Sequence, residues 1–139
     1  WFMGFGRKIC NFYYTWSLNR WTVAWIDWNL LLDENGGPNH VGNYCSAPII
    51  VNTKTQELLF QSSYYYLGHL SRFFNRGDKI IESENNTNTL LALSAIDKNQ
   101  KITTTIMNKE ESSVPFLYEN GSNSKSFSIP PRSIITIVN

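Results

Sequence analysis

The sequence predicts a strand–loop–helix unit followed by an antiparallel all-β sandwich, and three observations carry that reading. Val23 to Leu32 is a near-continuous apolar run, as expected for a strand covered on both faces, and it stops at Asn35-Gly36-Gly37-Pro38. Gly admits positive φ and Pro cannot continue a ladder, so this tetrapeptide is strong turn chemistry. In Ser62 to Phe74, the residues Tyr66, Leu67, Leu70, Phe73 and Phe74 recur at helical spacing and form one apolar face. After Asn75-Arg76-Gly77-Asp78 the pattern changes to short strand-like runs separated by polar turns.

Taken in order, Trp1 to Tyr14 is aromatic and mildly basic and is read as a weak helix. Val23 to Leu32 is the strand, expected to be buried. Asp33 to Pro48 is a long polar loop, of the kind usually kept for function. Ile49-Ile50-Val51 and Glu57-Leu58-Leu59-Phe60 flank Asn52-Thr53-Lys54-Thr55 and predict a short hairpin or rim excursion. Ser62 or Ser63 is suited to cap the helix, and Gly77 falls near its C-terminal end. Strands are then expected over 79–82, 89–96, 101–107, 114–118, 125–129 and 133–138, with Pro130-Pro131 at an edge or bend before the last. The domain boundary is placed so that residues 1–76 form the first unit and 77–139 the sandwich.

Composition narrows the functional classes. The 139 residues are 42% hydrophobic, 14% aromatic and 17% charged, a globular composition with room for about one ordinary domain. A net charge of +1 with scattered Lys and Arg argues against a nucleic-acid partner. No apolar run approaches the roughly 20 residues a membrane-crossing helix needs. Cys10, Cys45, His40 and His69 do not make a zinc-spaced cluster, so neither a metal nor a cofactor is expected. Whether the two cysteines pair is open at this stage. Asn85-Asn86-Thr87 and Asn120-Gly121-Ser122 fit the glycosylation acceptor pattern. The chain does not start with Met and shows no signal peptide, so it reads as a piece of something longer.

Trp25-Ile26-Asp27-Trp28-Asn29-Leu30-Leu31-Leu32-Asp33-Glu34-Asn35-Gly36-Gly37-Pro38-Asn39 resembles a segment of the glucosylceramidases of glycoside hydrolase family 30, in which "GW-x-DWN…GGPN" forms the eighth barrel strand and the loop after it. The likeness continues through Ala47-Pro48-Ile49-Ile50-Val51 and from Ser63 to Phe73, and Leu18-Asn19-Arg20-Trp21 fits the family's "LN-x-W" segment. Trp1 to Trp16 departs from the pattern. The resemblance implies that the first unit is the last strand–loop–helix unit of a (β/α)8 barrel, so the fold class becomes an α/β barrel fragment followed by the sandwich.

The resemblance also implies site residues. Functional side chains of such barrels sit at the C-terminal ends of the strands. Trp28 matches a family Trp that lines the glucose subsite, although the ordinary reading of a lone Trp is core. Asn43 matches an Asn that bonds a sugar hydroxyl, a task suited to a group that both donates and accepts. Asp27 is a third substrate-binding candidate, or an orienting neighbour of Trp28 on the opposite strand face. His40 lies on the loop, while His69 belongs to a helix surface or interface.

A retaining glycosidase needs two carboxyl groups about 5 Å apart. In the family these are glutamates on the fourth and seventh barrel strands, upstream of this segment. No Asp or Glu precedes Asp27, and Asp33, Glu34 and Glu57 match no family catalytic position, so no catalytic residue is expected in this chain. The implied partners are a β-glucoside such as glucosylceramide, reached at a membrane surface if it is a lipid, and the N-terminal part of the same barrel. A lysosomal or secreted location is implied by resemblance alone. The alternative from another class is a non-catalytic carbohydrate-binding sandwich with an aromatic face, or a purely structural one.

Overall fold

The computed structural model describes residues 15–139 except Asn43 and Ser122. The helix expected over Trp1 to Tyr14 and the thiol of Cys10 lie outside the described residues; Cys45 is a half-buried free thiol. The described chain begins with the short helix α1 (Thr15–Leu18) and continues through β1 (Leu31–Asp33), β2 (Ile49–Asn52), β3 (Glu57–Phe60) and helix α2 (Ser62–Phe73). Six strands follow: β4 (Lys79–Ile81), β5 (Leu90–Ile96), β6 (Ile102–Asn108), β7 (Val114–Asn120), β8 (Asn123–Ile129) and β9 (Ile134–Val138).

The first strand is shorter than expected. Only Leu31–Asp33 is strand, and in the predicted run Val23 to Leu32 only Leu32 is buried. Two local causes interrupt the rest. Asn29 sits in the left-handed region at φ 61, which no continuous strand tolerates. The Asp27 carboxylate accepts the Trp28 N–H at 2.8 Å, a local bond that competes with a ladder. Val23 and Ile26 stand 97% and 94% exposed, so in this chain an irregular, exposed segment stands where the buried strand was expected.

β1 pairs in parallel with β2 (Leu31 opposite Ile49, Asp33 opposite Val51), and β2 pairs antiparallel with β3 as the predicted hairpin. A parallel neighbour requires a long connection, and residues 34–48 supply it as a loop rather than a helix. The cap of α2 also differs from expectation. Gln61 is the N-cap and makes no side-chain bond there, while its N–H donates to the Pro48 carbonyl at 2.8 Å. At the other end Phe74 caps the helix, its N–H donating to Leu70 O, and Gly77 turns the chain at φ 97.

The remaining strands follow the sequence closely. β4-β5-β6-β9 form an antiparallel sheet and β7-β8 a second, two-stranded one. Period-2 alternation assigns the two faces of the larger sheet. Leu90, Ala92, Ile106, Ile135 and Ile137 pack on Val114, Phe116, Tyr118 and Ile129 from the small sheet. Leu91, Met107 and Ile134 point the other way and pack on Tyr66, Leu67 and Leu70 of α2 and on Trp25. The larger sheet is therefore a middle layer, which is why every residue of β6 from Thr103 to Asn108 is buried. The helix of the first unit covers one face of the sandwich directly.

Several polar side chains inside these layers pair with one another, as burial demands. On the sandwich side, Ser83 Oγ, Ser94 Oγ, Thr104 Oγ1 and Tyr118 O–H form a chain with steps of 2.7, 2.9 and 3.1 Å, and Asn139 Nδ2 donates to Tyr118 Oη at 3.2 Å. On the helix side, His69 Nδ1 meets Thr136 Oγ1 at 2.8 Å, and Thr136 meets Thr105 at 2.9 Å. His69 is thus an interface histidine, and burial pushes its pKa below 6.5. Tyr66 O–H donates to the Arg132 carbonyl at 3.3 Å.

Candidate functional site

β1 and β2 run parallel, so their C-terminal ends, Asp33 and Asn52, lie at one end of the three-stranded sheet. The loop after β1 is built there by Asp33. Its Oδ1 accepts the N–H groups of Asn35 and Gly37 at 2.8 and 2.7 Å, and its own N–H donates to the Gly37 carbonyl at 2.7 Å. This is the turn-forming habit of Asp, which offers the backbone an acceptor beside its own main chain. Asn39 continues the loop: its Oδ1 accepts Gly42 N–H at 2.8 Å and its Nδ2 donates to Gly36 O at 3.3 Å.

The two glycines are required for different reasons. Gly36 is buried at φ 81, and a Cβ there would stand 3.0 Å from the Cys45 carbonyl oxygen. A Cβ on Gly37 would meet the Asp33 carboxylate at 2.9 Å. Gly36→Ala is expected to destabilise the loop by about 1–3 kcal/mol, from strained φ and a backbone clash. Hydrogen exchange of residues 33–45 is the check, and unchanged protection there would refute the assignment.

Trp28 stands 74% exposed on the segment leading into β1, with Asp27 beside it, also exposed. The alternation that was to place these two on opposite strand faces does not apply, because neither lies in a strand. Trp25 is half-buried against Tyr66 and Met107. The expected contribution of Asn43 falls outside the described residues. His40 is exposed on the loop.

One participant escaped the sequence reading. Glu34 reaches across to the hairpin turn, where Oε2 accepts the Thr53 N–H at 2.9 Å and Oε1 accepts its hydroxyl at 2.7 Å. These bonds hold the Glu34 pKa below 4.5. Nothing local announces this contact, since the partners are 19 residues apart. Among the described residues no group of three or more His, Cys, Asp or Glu is placed to hold a metal ion. No described helix is long and apolar enough to cross a membrane. A cleft of about 930 Å³ opens elsewhere, between Trp21, Val23, Leu70, Phe74, Ile80 and Glu82, and no residue of the 34–48 loop lines it.

Comparison with known proteins gives a consistent result. Residues 13–74 match the glycosyl hydrolase family 30 TIM-barrel domain, and residues 79–137 match the glycosyl hydrolase family 30 beta sandwich domain. The protein named "Putative glucosylceramidase 3" from Caenorhabditis elegans is 39% identical over 127 residues, which is 88% of this chain and 24% of that protein. The lysosomal acid glucosylceramidase of Mus musculus is 34% identical over 96 residues, 67% of this chain and 18% of that protein. The chain thus spans about a quarter or less of the length of these relatives. Among solved structures, SrfJ from Salmonella typhimurium superimposes with a TM-score of 0.84 at 25% identity, covering 97% of this chain and 31% of that one. An endo-β1,6-glucanase superimposes with a TM-score of 0.82 at 22% identity, a likeness of fold.

Proposed function

The chain belongs to glycosyl hydrolase family 30, and from that premise we propose that it is the C-terminal part of a retaining β-glucosidase of the glucosylceramidase type. Residues 1–76 are the end of the catalytic barrel and 77–139 the β-sandwich. The parent enzyme cleaves β-linked glucose from a lipid or other aglycone. The observation that carries this reading is the match of both halves of the chain, in order, to the barrel and sandwich domains of one family. The catalytic glutamates belong to upstream strands. This chain supplies a rim: Trp28 offers an exposed indole face for the sugar ring, Asn43 a hydrogen-bonding amide, and Asp27 a carboxylate beside the indole.

The exposed apolar residues fit the same reading. Trp21, Val23, Ile26, Leu30 and Leu58 are all more than half exposed, and in the parent the remaining barrel units cover them. The carbohydrate-binding alternative loses support, because Phe116 and Tyr118 of the sandwich pack into its core.

The test compares the purified chain with the parent obtained by extending the coding sequence upstream. One barrel unit cannot close eight strands, so the chain alone is expected to leave an aryl β-glucoside intact and to associate in solution. The parent is expected to hydrolyse it with retention of anomeric configuration, followed by NMR. Turnover by the isolated chain that survives removal of Asp33, Glu34 and Glu57 would overturn the proposal.

A further inference from the structure

We infer that Glu34 is a positioning residue, whose carboxylate holds the β2–β3 hairpin turn against the Gly-Gly-Pro loop so that this turn forms the wall meeting the aglycone. The inference rests on the glucosidase reading above. The hairpin turn is built internally: Asn52 Oδ1 accepts the N–H groups of Lys54 and Thr55 at 3.0 and 3.1 Å, and Gln56 N–H donates to the Asn52 carbonyl at 2.8 Å. Gln56 adopts φ 61, and Thr55 Oγ1 donates to Glu57 at 2.9 Å. Such a turn moves as a unit, so its placement depends on what ties it down. Glu34 ties both the N–H and the hydroxyl of Thr53, at 2.9 and 2.7 Å, in a two-point clamp that fixes orientation as well as distance.

The clamp sits where it affects the outer part of a substrate. Asp33 lies opposite Val51, so β2 runs past the end of β1 and residues 53–56 overhang it, all exposed. The overhang stands at the C-terminal ends of β1 and β2, the end at which such barrels build their sites, and so borders the outer part of a substrate seated there. Asp33 and Glu34 divide the work: Asp33 closes the loop on itself, and Glu34 joins the loop to the hairpin. Because hydrogen bonds from Thr53 depress the Glu34 pKa below 4.5, the clamp is fully charged at neutral pH and weakens only as pH falls through that lowered value.

The experiment uses the full-length parent with Glu34→Ala, Glu34→Gln and Thr53→Val, assayed on an aryl β-glucoside and on a β-glucoside with a long alkyl aglycone. For Glu34→Ala, KM for the alkyl glucoside is expected to rise about three- to tenfold while kcat/KM for the aryl glucoside changes less than about twofold. Glu34→Gln can keep both contacts without the charge, its NH2 donating to the Thr53 hydroxyl, and Thr53→Val keeps only the N–H bond, so both should fall between. Hydrogen exchange of the segment 52–58 should accelerate in Glu34→Ala and not in the sandwich strands. Equal losses on both substrates, or unchanged exchange in 52–58, would overturn the inference. If the wild-type parent hydrolyses neither glucoside, the glucosidase reading fails and the exchange measurement alone decides the clamp.

Discussion

Asn108→Ala is expected to destabilise the sandwich by about 3–4 kcal/mol, an unusually large effect for one amide. Asn108 ends β6 and is 1% exposed. Its Nδ2 faces the carbonyls of Ser112, Ile129 and Pro130 at 2.8, 3.2 and 2.8 Å, and its Oδ1 accepts the Glu110 N–H at 2.9 Å. One side chain therefore joins the end of the middle layer to the β6–β7 connection and to the end of β8. Truncation removes all four contacts at once from an almost fully enclosed position, although the Pro130 carbonyl keeps the Ser133 hydroxyl at 2.8 Å. Asn108→Asp tests the chemistry at constant volume. A carboxylate would face three carbonyl oxygens in a buried site, so its pKa must rise above the unfolded value. A carboxyl raised in this way loses stability as pH climbs above about 3.9, the ordinary Asp value, until it ionises in the folded state. Chemical denaturation of the parent between acid and neutral pH reads this directly. If Asn108→Asp were as stable as wild type at neutral pH, the amide would not be the hub the geometry makes it.

Trp28→Ala in the parent enzyme should cost about 1–3 kcal/mol in kcat/KM with little change in melting temperature, by analogy with removing an aromatic platform under a stacked base. Trp28→Phe should recover part of the loss, because a smaller ring keeps some of the face. Trp25→Ala should behave in the opposite way. Trp25 packs on Tyr66 and Met107, between α2 and the sandwich, and its removal should cost about 2–3 kcal/mol of stability with less effect on substrate affinity. Neither residue lies in a strand, so the contrast rests on packing: Trp25 joins the cluster of Tyr66 and Met107 between helix and sandwich, and Trp28 does not. Both variants must be compared at equal titre of folded enzyme. A result in which Trp28→Ala changes only stability and Trp25→Ala only kinetics would reverse the two roles.

The sandwich and the helix were legible in the sequence because their signals are local. Of the expected helical face, Tyr66, Leu67 and Leu70 do face one partner, while Phe73 is outside that cluster and Phe74 lies beyond the helix as its extended cap. In β5 and β9 the side chains alternate between two covered faces, and polar turns such as Asp97 to Gln100 punctuate them. The Gly-Gly-Pro loop was legible too, since Gly36 needs a conformation that side chains resist.

Other features were decided by tertiary contacts. The apolar run Val23 to Leu32 carries every composition signal of a buried strand, yet strand requires a neighbour to pair with, and only Leu31–Asp33 finds one, in β2. Asn29 and Asp27 then settle the rest of the run into local bonds and a left-handed residue. The parallel β1–β2 pairing, the Glu34–Thr53 clamp and the hub at Asn108 join residues about 20 positions apart. A propensity or a spacing describes what a residue does to its own stretch of chain. Which buried acceptor waits for an amide 21 residues earlier is set only when the layers close around both, because the cost of leaving either unpaired arises only once water is excluded.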